Sequence, residues 1–191
     1  MVGRSISLFP GEFSTLLLAY EKTDFVKFIH GVQMVGSTVF VPSNNAFAKL
    51  GPKTNAFLFN TKTGLKYLKA ILKYHIAANA TLYTDAFYDE TKADGGDANA
   101  LGREHFDLTT LLHDLPVSVD VARWGALTFT RVNGFSNVRI RDGIAKNGVI
   151  HVIDQVLLPQ RPSKGGETDS QGDLSSEVEV EDLVERLADY V

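Results

Sequence analysis

Cysteine is absent from all 191 residues, which excludes a disulfide framework, a thiolate metal site and a cysteine nucleophile. No apolar stretch reaches the roughly 18 residues that a membrane-spanning helix requires. The opening MVGRSISLFPGEFSTLLLAYEK has no apolar core ahead of a small-residue cleavage site and does not read as a signal peptide. No G-x-S-x-G elbow, phosphate-binding loop or G-x-G-x-x-G occurs, so nucleophile and nucleotide chemistry lack a motif. Five histidines are present, yet none forms an H-x-x-x-H, H-x-x-H or H-E-x-x-H pattern, and no metal or cofactor is expected. The acidic stretch DAFYDETKADGGD (85–97) misses the ligand register of a calcium loop and reads as solvated.

What remains is an ordinary globular composition, 44% apolar and 22% charged. Charge is uneven. Residues 161–191 hold nine acids and three bases, a net −6 within a whole-chain −4, so the first 160 residues carry about +2. A nearly neutral body without a clustered basic face does not read as a nucleic-acid binder.

The first helix is predicted from Phe13, Leu16, Leu17 and Tyr20, and a second over Asp24 to His30, ended by Gly31. Thr38 to Val41 is β-branched and aromatic, Pro42 stops it, and Ser43 or Asn44 can cap a short helix through Phe47 and Leu50. TKTGLKYLKAILKYHIA is helical, with Leu65, Leu68, Ile71 and Leu72 in its apolar stripe, the lysines away from it, and Tyr74-His75 at its end. ATLYT reads as an alternating strand before the polar loop, and short strands dominate from Phe106 onward. Two flank Trp124-Gly125, and two more are interrupted by Asp142-Gly143 and Asn147-Gly148. Helices first and strands later make an α+β domain. Residues 161–174 read as a flexible polar linker, and 175–191 as an acidic amphipathic helix with Val180, Leu183, Val184 and Leu187 on one face and a Ser176/Glu179 capping box. That stripe is expected to dock, on its own domain or on a second copy.

Three segments in order, TVFVPSNNAF (38–47), LKAILKYHI (68–76) and NGVIHVIDQVLLP (147–159), resemble the fasciclin domain family over about residues 5–160. The resemblance implies a wedge-like β-sandwich of about seven strands packed with several N-terminal helices. It marks Ser43, Asn44, Tyr74, His75, Asn147, Gly148 and His151 as signature positions. It further implies a non-enzymatic module of adhesion or matrix contact, extracellular, at the cell surface or vacuolar. Partners would be proteins or glycans there, or further copies of the chain. GREHFDLTTLLHDLPVSVDVARWG and RVNGF are similar to fungal members that carry two such domains.

Animal members are linked to integrin recognition through the tyrosine-histidine segment and an Asp-Ile pair before the second signature. Tyr74, His75 and Asp142 are the matching candidates, but Gly143 replaces the isoleucine. His151, between Val149 and Ile153 on one strand face, is expected to pack inward onto Ser43, Asn44 or Asn45. Asn79-Ala80-Thr81 is a candidate N-glycosylation sequon. The competing reading is a small-molecule binder or atypical enzyme using a pocket lined by some of Tyr74, His75, Tyr83 and Trp124.

Overall fold

The computed structural model describes residues 11–84, 102–124, 127–145, 147–160 and 177–191. The 85–97 loop, Ser176 and the 161–174 linker lie outside the described residues, as does the Trp124 side chain.

A helical layer comes first. Helices α1 (Ser14–Lys22) and α2 (Phe25–His30) are followed by strand β1 (Ser37–Pro42) and by helices α3 (Asn44–Ala48), α4 (Pro52–Asn60) and α5 (Lys62–Tyr74). Ser43 caps α3 as anticipated, its Oγ accepting from the Ala46 amide at 3.3 Å. Thr61 does the same for α5, accepting from the Gly64 amide at 2.8 Å. Helix α4 was not anticipated. It is nucleated by Pro52 in its first turn, where the missing N–H is harmless, and its weak apolar periodicity hides it in the sequence.

Seven strands follow one continuous order, β2 (Ile76–Ala78), β1, β7 (Gly148–Ile153), β6 (Ser136–Ala145), β5 (Leu127–Val132), β4 (Pro116–Trp124) and β3 (Gly102–Thr109). The β5–β6 junction is narrow, pairing only Arg131 with Asn137 and Val132 with Ser136. The free ends turn back toward each other, where Ala77 bridges Thr110 and the Leu111 amide donates to the Ile76 carbonyl at 2.9 Å. The result is the α+β, helix-flanked, seven-stranded architecture that the resemblance implied.

Burial follows position. In β4, Val117, Val119 and Val121 face the core while Ser118 and Asp120 face outward, the alternation of a sheet wetted on one side. In β1 and β7 every residue is buried. These two run parallel, Phe40 opposite His151, and are covered on both faces, which is why their sequences are almost uninterruptedly apolar.

Two strand expectations change. Residues 79–84 form no strand; pairing ends with β2 because Asn79 takes a left-handed φ of 58°. Asp142-Gly143 does not end a strand either, since β6 runs through it with a bulge between Ile140 and Gly143.

The acidic tail forms α6 (Val180–Leu187) and a 3-10 turn over Ala188–Tyr190. Glu179 is its N-cap, without a side-chain capping bond. Leu183 and Leu187 are fully buried against α4 and α5, and Thr54 Oγ1 donates to the Val178 carbonyl.

Candidate functional site

The signature positions form three internally bonded clusters, with Asn147-Gly148 packed separately against the start of β1. At the corner after β1, Asn44 reaches back to the first helix: its Oδ1 accepts from the Thr15 amide at 2.9 Å, and its Nδ2 donates to the Gly11 carbonyl at 2.8 Å and Ser14 Oγ at 3.0 Å. It fastens the start of α1 to the β1–α3 corner. At the other end of β1, Gly148 lies so close to Ser37 that a Cβ there would come 2.2 Å from the Ser37 carbonyl oxygen. The Ser37 hydroxyl contacts the Asn147 carbonyl at 3.5 Å.

The second cluster closes α5. His75 Nε2 faces the Leu157 amide at 3.0 Å. An amide N–H can only donate, so Nε2 accepts and the ring proton sits on Nδ1, which donates to the Ile71 carbonyl at 2.8 Å. Burial holds the imidazole neutral and pushes its pKa down to about 4, partly opposed by the Ile71 bond. The Tyr74 hydroxyl donates to the Pro116 carbonyl at 3.0 Å and accepts from Asn133 Nδ2 at 3.1 Å, and burial raises its pKa. Asn133, with φ 50°, also accepts the Ser118 amide on Oδ1 at 3.0 Å, so one side chain joins α5 to β4. Sequence reasoning missed this role, although the Asn133-Gly134 pair signals a left-handed turn.

His151 anchors the third cluster. Its expected partners at Ser43, Asn44 or Asn45 are replaced by backbone groups from elsewhere. The Asp142 amide donates to Nδ1 at 3.3 Å, so Nε2 carries the proton and donates to the Leu82 carbonyl at 2.8 Å. Desolvation lowers the His151 pKa, with the Leu82 bond acting against it. The Asp142 carboxylate turns inward as well, accepting from the Thr84 amide at 2.8 Å and from Thr84 Oγ1. Asp142 can adopt its φ of 57° because a short carboxylate tolerates the left-handed region. The bulge in β6 is what aims its amide at His151.

No catalytic arrangement emerges from these clusters. Among the described residues no group of three or more histidines and acids is placed to hold a metal ion. His105 lies between Asp120 at 2.7 Å and Asp107 at 3.3 Å on the exposed face of β3 and β4, and the bond to Asp120 raises its pKa. Tyr83 is half-buried. An open cleft of about 710 Å³ lies where β2 meets β3, with Asn79, Asp107, Thr109 and His113 on its walls. A smaller one of about 190 Å³ touches Tyr74, Asn133 and Tyr190. Asn79 is exposed, and its Oδ1 accepts from the Val35 amide at 2.9 Å.

The model of the fasciclin domain matches residues 11–159, which include all three clusters. The chain belongs to the fasciclin domain family. Aurofusarin biosynthesis cluster protein S of Gibberella zeae is 33% identical over 199 residues, an alignment covering 94% of this chain and 49% of that protein. The chain thus spans about half the length of this fungal relative. Protein sll1483 of Synechocystis is 33% identical over 147 residues, covering 77% of this chain and 67% of that protein. The fold also matches that of about half of the FAS1 domain pair from the insect cell adhesion molecule Fasciclin I, with TM-score 0.54 at 20% identity over 77% of this chain and 45% of that one. Among the described residues no helix of this fasciclin domain is long and apolar enough to cross a membrane.

Proposed function

We propose that this fasciclin domain is a non-catalytic interaction module of adhesion or matrix contact, working outside the cell, at its surface or in a vacuole. Its partners are proteins or glycans there, or further copies of the chain. One observation carries the reading: His75, His151, Tyr74 and Asp142 all direct their polar atoms to partners inside the domain, leaving recognition to the outer surface. That surface presents Leu127, Phe129, Ile140 and Ile144 on the adjacent strands β5 and β6, each at least half exposed. We assign the module to residues 5–160, the linker to 161–174 and the helical tail to 175–191.

Attachment of cells or wall fragments to the immobilised protein tests the reading. Binding should fall on Leu127→Asp/Phe129→Asp substitution with the melting temperature unchanged. No attachment at any coating density would sink it. Glycosylation at Asn79 belongs to the same proposal, since a glycan on Nδ2 leaves the Oδ1 bond to Val35 intact; a mass loss on deglycosylation of the secreted protein checks it.

The second reading, a small-molecule binder, draws on the name of the Gibberella relative and on the cleft of about 710 Å³. It requires aurofusarin to raise the melting temperature progressively as its concentration increases.

A further inference from the structure

Between Asp24 and Asp85 the chain contains no acidic residue and no arginine, yet seven lysines. Four of them, Lys62, Lys66, Lys69 and Lys73, fall on α5 at steps of four, three and four residues. At 3.6 residues per turn this spacing confines them to a stripe roughly 60° wide and about 16 Å long. The opposite side of α5 is core, with Leu68, Ile71 and Leu72 buried. Lys62 and Lys66 are exposed and Lys69 and Lys73 half-buried. The ammonium groups of Lys69 and Lys73 stand 5.5 and 5.0 Å from the centre of the Phe28 ring on α2, which holds two long side chains in place. None of the four has an ion-pair partner among the described residues. Like charges three and four apart on a helix repel by a few tenths of a kcal/mol per pair, so the stripe is destabilising until an anion lies along it.

We propose that this face of α5 docks a linear acidic polysaccharide, its carboxylates or sulfates following the line of lysines. The inference rests on the interaction-module reading and names a partner class for it. The charge is linear, which suits a polymer with repeated anions. Helix α5 presents no exposed large apolar side chain to enter a lipid layer. It also lacks arginine forks and exposed aromatic rings, the usual means of gripping phosphates and stacking bases.

Surface plasmon resonance of the full chain over immobilised heparin, polygalacturonate and neutral dextran tests this, with phosphatidylserine vesicles and duplex DNA as separate arms. Heparin separates sulfate from the carboxylate of polygalacturonate. The wild type should bind at least one of the two and not dextran, and binding should be largely lost in about 0.5 M salt. Lys62→Gln/Lys66→Gln, at two exposed positions, should weaken binding about tenfold with unchanged melting, while Lys49→Gln/Lys53→Gln off the stripe should not. Equal binding by the Lys62/Lys66 variant overturns the proposal, as does binding to neither acidic polysaccharide, or tighter binding to vesicles or DNA. The Leu127→Asp/Phe129→Asp variant should keep its polysaccharide affinity. Polysaccharide binding by a wild type that attaches no cells or wall fragments at any coating density removes the adhesion reading alone.

Discussion

The His75 imidazole accepts the Leu157 amide at 3.0 Å and so ties the end of α5 to the segment after β7, 82 residues away. That bond needs a neutral ring. Protonation would put an N–H on Nε2 facing another N–H, and the same conflict awaits His151 Nδ1 at the Asp142 amide. Both histidines have pKa values below the ordinary 6.5, His75 at about 4. The unfolded chain therefore binds more protons than the folded one between those values, and stability rises with pH across that window. Full stability is expected above pH 6.5, falling as pH drops from 6.5 toward 4, with His75 alone accounting for on the order of 3 kcal/mol. Urea unfolding at pH 7, 6, 5 and 4.5 checks this. His75→Phe should be less stable at pH 7 and show a shallower dependence; an equally steep slope would assign the acid sensitivity elsewhere.

His151→Ala removes a ring stacked 5.9 Å from Phe40 and leaves the Leu82 carbonyl and the Asp142 amide without partners. A cost of about 2 to 4 kcal/mol follows from lost packing and unsatisfied polar groups. The measurement is the denaturant midpoint of the purified variant. Wild-type stability combined with loss of a binding activity would show that His151 has a direct role.

How legible these sites were depended on distance along the chain. Ser43 and α3 could be read because strand, proline, cap and helix are local signals within a dozen residues. The parallel strand β7 could be read as buried from GVIHVI itself. The partners of His151 could not: Leu82 is 69 residues away, and Asp142 reaches the ring only because of a bulge that shifts the β6 register. Helix α4 was missed because Pro52–Asn60 has little periodicity, and is held by contacts with α5 and α6 rather than by its own pattern. The role of Asn133 needed the β4–β5 pairing, which places it opposite Ser118 and under Tyr74.

Gly64 offers a test in which propensity and packing disagree. Within a helix, Ala is favoured over Gly by about 1 kcal/mol. A Cβ at position 64 would however lie 1.9 Å from the Phe57 carbonyl oxygen at the end of α4. Gly64→Ala should therefore destabilise, by about 1 to 3 kcal/mol as the two helices are forced apart. A stabilised variant in thermal unfolding would mean that the α4–α5 corner relaxes freely.

The tail gives the last prediction. Helix α6 has only eight residues, far below the roughly 12 to 15 at which an isolated helix persists in water. Its helicity must therefore come from docking, and Leu183 and Leu187 are both fully buried on the domain. Arg186 is buried too, its guanidinium bonded to Asp182 one turn earlier at 3.1 Å. The exposed acidic residues of the tail add little, because exposed ion pairs contribute only tenths of a kcal/mol. Leu183→Ala should cost about 2 to 4 kcal/mol of local stability, since it removes a buried side chain from a short element with few other anchors. Hydrogen exchange on the full chain reads this directly. Amides 183–187 should be protected in the wild type at every protein concentration, and in Leu183→Ala should exchange much faster while those of β1 and β7 stay slow. Protection that appears only at high concentration would place the helix on a second copy, and protection unchanged by the substitution would mean that another contact holds it.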